Sequence, residues 1–138
     1  MGRPAYSTGE LICLGDWARV YIQRVGIWHH GIVRNIFRVQ NGFAVEIAHN
    51  MKALGVTVSD LYEFADGGIV HLHRRPFSEA HAREILARVD PNLGKQYYLF
   101  AQNCEHFASF AFIGEAKSES VQALGWVAAF LVVIRLLR

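Results

Sequence analysis

Cysteine is scarce in this chain: Cys13 and Cys104 are the only two in 138 residues. So distant a pair builds no disulfide framework, and no CxxC pair is present to seed a zinc cluster. Free thiols in a reducing compartment are the expectation. Strong charge of either sign is also lacking. The formal net charge is +2, and the basic residues are scattered rather than striped, so nucleic acid is excluded as a partner. Charged residues make up 19% and apolar residues 52%, a balance that excludes general disorder and points to a compact globule with an added apolar element. The opening "MGRPAYSTGELICLGDW" holds no continuous apolar h-region, so no secretory signal is expected. Tyr6 stands where a myristoylation motif wants Ser or Thr. The expected location is the cytoplasm or the cytoplasmic face of a membrane.

What is present fits one domain with a real core. From Asp16 to His49 the chain is rich in Val, Ile, Phe, Tyr and Trp, the residues that favour a pleated, half-buried surface. Strands are expected at Trp17–Ile22, His29–Arg38 and Phe43–Ala48, the last two joined through Asn41-Gly42 as a tight turn. Shorter strands are expected at Val56–Val58 and Ile69–His73. "SDLYEFADGG", Ser59 to Gly68, reads as a capped turn or short helix with a glycine exit. Ser78 caps "EAHAREILARV", whose Ala82, Ile85, Leu86 and Val89 recur at helical spacing until Pro91. A second helix begins near Asn103, with Phe107, Phe110 and Ala111 as its apolar stripe. Strands first and helices second give an α+β fold, an antiparallel sheet with C-terminal helices.

The last segment, "VQALGWVAAFLVVIRLLR", is uncharged from Val121 to Ile134 and closes on Arg135 and Arg138. It is shorter than the ~20 apolar residues of an ordinary span, and a buried core helix is one reading. Its apolar character on all faces and its terminal arginines favour membrane contact through residues 121–138. The organisation expected is an N-terminal extension over 1–14, a catalytic domain over 15–117 and an apolar helix over 118–138.

Chemistry centres on "QNCEHFASF", Gln102 to Phe110. Cys104 stands at an expected helix start, where backbone N–H groups and the helix dipole lower a thiol's pKa, with Asn103 as the cap. A structural buried thiol is the alternative. A nucleophilic thiol needs a base within reach and a third polar group to hold that base. The strand "WHHGIV" offers His29 and His30, which alternation sends to opposite faces. Across the hairpin, "GFAVEIAHN" carries Glu46 in an apolar run and His49 as its rival for the third place. His71 and His73 alternate on one strand, but no third ligand is placed and no metal is expected. His106 lies about 200° around the helix from Cys104 and faces elsewhere.

"NCEHF" at Asn103–Phe107, "HHGIV" at His29–Val33 and the "GFAVEI" strand together resemble the lecithin retinol acyltransferase family, which includes the HRAS-like suppressor phospholipase A/acyltransferases and small bacterial members. The likeness runs from about Gly15 to Gly114. It implies a circularly permuted papain-like thiol fold, in which an antiparallel sheet bears the histidines and a later helix bears the nucleophile. Residue by residue, it implies Cys104 as nucleophile and His29 as base, with His30 a variable neighbour. Where the family has its second histidine, in Gly-x-x-Val-His-Leu, this chain reads Gly42-Phe43-Ala44-Val45-Glu46-Ile47, which makes Glu46 the third member. The hairpin is longer here than in the acyltransferases, and that leaves His49 as the alternative.

The reaction expected is acyl transfer through a thioester on Cys104, without a cofactor. N–H groups at the helix start, helped by Asn103, would hold the oxyanion. A phospholipid or other acyl ester is the substrate the resemblance implies. A thiol peptidase or amidase of the same fold, and a non-catalytic membrane-associated binding module, are the rival classes.

Overall fold

A computed structural model describes residues 2–95 and 103–114. Five antiparallel strands form one sheet: β1 (Trp17–Ile22), β2 (Ile27–Val39), β3 (Gly42–Met51), β4 (Gly55–Asp60) and β5 (Val70–Arg74). Their spatial order is β4-β3-β2-β1-β5. The first four make the expected meander. The fifth returns to the opposite edge through a short helix, α1 (Leu61–Ala65). Helix α2 (Glu79–Val89), a 3₁₀ turn (Asp90–Asn92) and helix α3 (Asn103–Ile113) follow. The fold is α+β, with the helices after the sheet.

Two local expectations are corrected. The loop of the central hairpin is Gln40-Asn41, because Val39 pairs with Gly42 and Gly42 already belongs to β3. Gly42 holds φ +146°, a conformation that a residue with a Cβ rarely adopts. The strands also run further than their densest apolar stretches. β3 continues through His49 and Asn50, since Asn50 still pairs with Val56 on β4. Helix α2 starts as expected, with the Ser78 hydroxyl accepting from the His81 N–H at 3.1 Å. In α1 the cap is Asp60, whose carboxylate accepts from the Glu63 N–H at 2.7 Å.

Alternation along each strand divides the core between the two faces of the sheet. On one face, Val20, Ile22, Val33, Val45, Ile47 and Val70 pack with Phe64 of α1. Tyr6 and Ile12, from the stretch read as an extension, join that cluster. On the other face, Trp17, Ile32, Ala48 and Val56 receive Ile85 and Val89 of α2 and Phe107, Ala108, Ala111 and Phe112 of α3. A bulge between Val33 and Asn35 shifts the β2–β3 register and leaves Arg34 as the extra residue. The apolar segment 118–138 lies outside the described residues. Among the described residues, no helix is long and apolar enough to cross a membrane.

Candidate active site

Cys104 is buried at the start of α3, 5% exposed. Its neighbours follow from where the β2–β3 pairing stops. The last β2–β3 pair is Ile32↔Ala48, so Trp28 to Gly31 have no partner on β3, whose His49, Asn50 and Met51 pair only with β4. Among the described residues, no strand pairs with this stretch of β2 on that side, and α3 brings the Cys104 thiol to it. The Cys104 Sγ donates to the Trp28 carbonyl at 3.7 Å, and the His30 N–H points to the same sulfur. The two backbone groups that meet the thiol therefore bracket His29.

The thiol does not have the depressed pKa expected of a helix start. Burial raises it, and the backbone N–H groups of His30, Glu105 and Cys104 offset only part of the rise. Desolvation wins because the sulfur is removed from water, while a few oriented dipoles recover only part of its lost hydration.

His29 and His30 part as alternation requires. The His29 ring lies against Phe64, on the face covered by α1, with ring centroids 5.2 Å apart. Gly31, two residues on, shows why α1 can sit so close. A Cβ at that position would come within 2.4 Å of Ile47 Cγ2 and 2.8 Å of Phe64 Cε2. The His30 ring points to the other face, where its Nδ1 accepts from Trp17 Nε1 at 2.9 Å, and His73 packs edge-on to both. Burial pushes His30 down to about 3, so that ring is neutral and its Nδ1 lone pair is already committed.

The partner of His29 is His49. His29 Nε2 and His49 Nδ1 are 2.6 Å apart. His49, 2% exposed, continues through its Nε2 to Ser59 Oγ on β4 at 2.7 Å. Both imidazoles are pushed down to about 4 by burial, so both are neutral near pH 7.

Glu46 is elsewhere, which corrects its assignment as the residue that orients His29. An odd separation of three residues sends Glu46 and His49 to opposite faces of β3. Glu46 pairs with Arg34 at 3.1 Å, and Arg34 also holds Asp90 at 2.9 Å; all three are partly exposed. The signal for His49 was present in the sequence. Phe43, Val45 and Ile47 alternate, and His49 is the next residue on that face.

Of the remaining candidates, Asn103 is the first residue of α3, but its side chain lies outside the described residues. His71 packs on Trp28, and His106 is buried on α3. Cys13 lies in the N-terminal stretch, where its N–H donates to the fully buried Asp16 at 2.9 Å. Tyr6 and Arg75 complete that carboxylate's partners. Cys104 thus meets the strand backbone on either side of His29, whereas Cys13 lends its N–H to a separate structural clasp around Asp16. Ser59 is the site residue that sequence reasoning missed, since no spacing on one strand shows which hydroxyl a neighbouring strand presents.

A family model described as lecithin retinol acyltransferase matches residues 12–117. No curated protein matches the chain. An antiparallel sheet bearing histidines, followed by a helix bearing the thiol, agrees with the papain-like fold of that family, whose members are typically Cys-His-dependent acyltransferases or hydrolases. With the match covering most of its length, the chain belongs to the lecithin retinol acyltransferase family.

Proposed function

We propose that the protein is a lipid acyltransferase or phospholipase that works through an acyl-thioester on Cys104. One observation carries the reading: the thiol meets the strand backbone on both sides of His29, while His29 is hydrogen-bonded to a second buried imidazole. His49 Nδ1 occupies His29 Nε2, so His29 Nδ1 is the nitrogen left to take a proton.

Because the resting thiol and imidazole are both neutral, proton transfer accompanies attack instead of preceding it. The Sγ–H proton passes to His29 Nδ1 as the sulfur bonds to the ester carbonyl carbon. The tetrahedral oxyanion is held by N–H groups at the start of α3, helped by Asn103. As it collapses, the ester C–O bond breaks and the leaving alkoxide takes the proton from His29. Water, an alcohol or an amine then attacks the thioester and gives its proton to His29. The C–S bond breaks, and the thiolate recovers that proton. His49 holds the His29 ring in place and stabilises the imidazolium that forms transiently.

The family resemblance favours a phospholipid ester as acyl donor. Residues 121–138 would bring the domain to the membrane surface where such a donor resides. Intact-mass spectrometry after incubation with an ester-linked phospholipid tests the reading. Wild type gains one acyl mass, Cys104→Ala gains none, and Cys13→Ala gains it as wild type does. Equal loss in both cysteine variants, or no adduct on wild type with any ester lipid while a peptide substrate is cleaved, would overturn it.

A further inference from the structure

We infer that Ser59 is a positioning residue, which fixes the direction of the hydrogen bonds between His29 and His49 so that His29 presents an unprotonated nitrogen to Cys104. This inference rests on the proposed role of Cys104 and His29 and adds to the site a residue on a different strand.

The argument is proton counting. A neutral imidazole carries one N–H and one lone pair. His29 Nε2 and His49 Nδ1 are in contact at 2.6 Å, so one of them holds a proton and the other accepts. His49 Nε2 and Ser59 Oγ are in contact at 2.7 Å. Two arrangements satisfy these distances. In the first, His29 carries its proton on Nε2 and donates to His49 Nδ1. His49 then carries its own proton on Nε2 and donates to the Ser59 hydroxyl oxygen. Every contact has one proton, and His29 Nδ1 keeps its lone pair. In the second, every bond runs the other way. Ser59 donates to His49 Nε2, His49 Nδ1–H donates to His29 Nε2, and the His29 proton sits on Nδ1, where it blocks base catalysis.

The two arrangements differ by a coordinated shift of protons along the chain, and Ser59 stands at its far end. As acceptor, the serine oxygen satisfies an N–H that would otherwise be buried without a partner on a side chain 2% exposed. Position on β4 makes this possible. Ser59 pairs with Ile47, so it and His49 share the face that bears His29. The strand pairing thereby places hydroxyl, second imidazole and base in one row across three strands.

Nitrogen NMR of the full chain labelled with ¹⁵N-histidine distinguishes the two arrangements without any turnover. The expected wild-type spectrum shows His29 and His49 both as Nε2–H tautomers. In Ser59→Ala, His49 loses the pure Nε2–H form, and kcat for a short-chain ester falls about tenfold, as for a lost buried hydrogen bond. Ser59→Thr, which keeps a hydroxyl, restores both. His49 found as the Nδ1–H tautomer in wild type would overturn the inference, as would Ser59→Ala leaving both the tautomers and kcat unchanged. Should the alanine variant not fold, the wild-type spectrum decides the direction. Failure of the acyl-transfer reading is distinct, since it removes the Cys104 adduct while leaving the tautomers as assigned.

Discussion

Two side chains three residues apart on one strand have different fates in this site. Glu46 pairs with Arg34, which also holds Asp90, at the partly exposed surface, whereas His49 is buried against His29. The Glu46–Arg34 pair is partly solvated, so its removal should cost about 0.5 kcal/mol or less in stability and little in rate. Under the proposed function, Glu46→Gln is therefore expected to keep kcat within about threefold of wild type, while His49→Ala, which leaves the His29 ring unheld, lowers it about a hundredfold or more. Parallel initial-rate measurements check the ranking, and a larger loss from the glutamine change would restore Glu46 to the site. The pH dependence has a definite sign. His29 and His49 titrate near 6.5 when unfolded and about 4 when folded. Between those values the unfolded chain binds more protons, so the stabilising difference is complete above pH 6.5 and is lost as pH falls toward 4. The unfolding free energy measured in urea should therefore fall between pH 7 and pH 4.5, by up to about 1.4 kcal/mol per pKa unit at each site. The acid limb of kcat/KM should lie near 4 instead of near 6.5. A rate inflection at 6.5 with a flat stability profile would contradict the burial of the pair.

At the scale of elements, the hairpin β2–β3 and the short helix α1 together build the imidazole pocket. Phe64 of α1 packs against both rings, with centroids 5.2 Å from His29 and 5.4 Å from His49. The close approach depends on Gly31. A methyl group there requires Phe64 and Ile47 to move, because two side-chain atoms stand closer than any real Cβ contact allows. Gly31→Ala should cost about 1–3 kcal/mol of stability by overpacking and slow catalysis through displaced histidines. Thermal unfolding and single-turnover acylation test this together; an unchanged melting temperature would show that the pocket is not tightly packed. Much at this scale was legible beforehand. Ser78 marks the start of α2 because a hydroxyl before an apolar period of 3.6 is a local signal. Cys104 at the start of α3 was legible from the apolar spacing of Phe107 and Ala111 that follows it. The Gln40-Asn41 loop and the extension of β3 to Met51 were not, because pairing partners on both sides, and not residue preference, decide where a strand ends.

For the whole molecule, the thiol and the imidazoles come from opposite ends of the chain, and the site exists only where α3 meets the backbone of β2. The apolar segment from Val121 onward follows the polar stretch "GEAKSES", and under the proposed function it localises the enzyme. Deleting Val121–Arg138 should shift the protein to the soluble fraction and reduce turnover of bilayer phospholipid while sparing acylation of Cys104 by a soluble short-chain ester. Fractionation and intact mass check both arms. An unfolded truncation, or failure on both substrates, would make that segment part of the core. By itself the sequence determined the α+β order, the place of Cys104 at a helix start and the separation of His29 from His30, because these rest on local periodicity and a compact motif. Only the tertiary structure decided that His49 meets His29, that Glu46 turns to Arg34 and that Ser59 ends the row. Those contacts depend on the register of three strands, and a register is fixed by packing across the sheet.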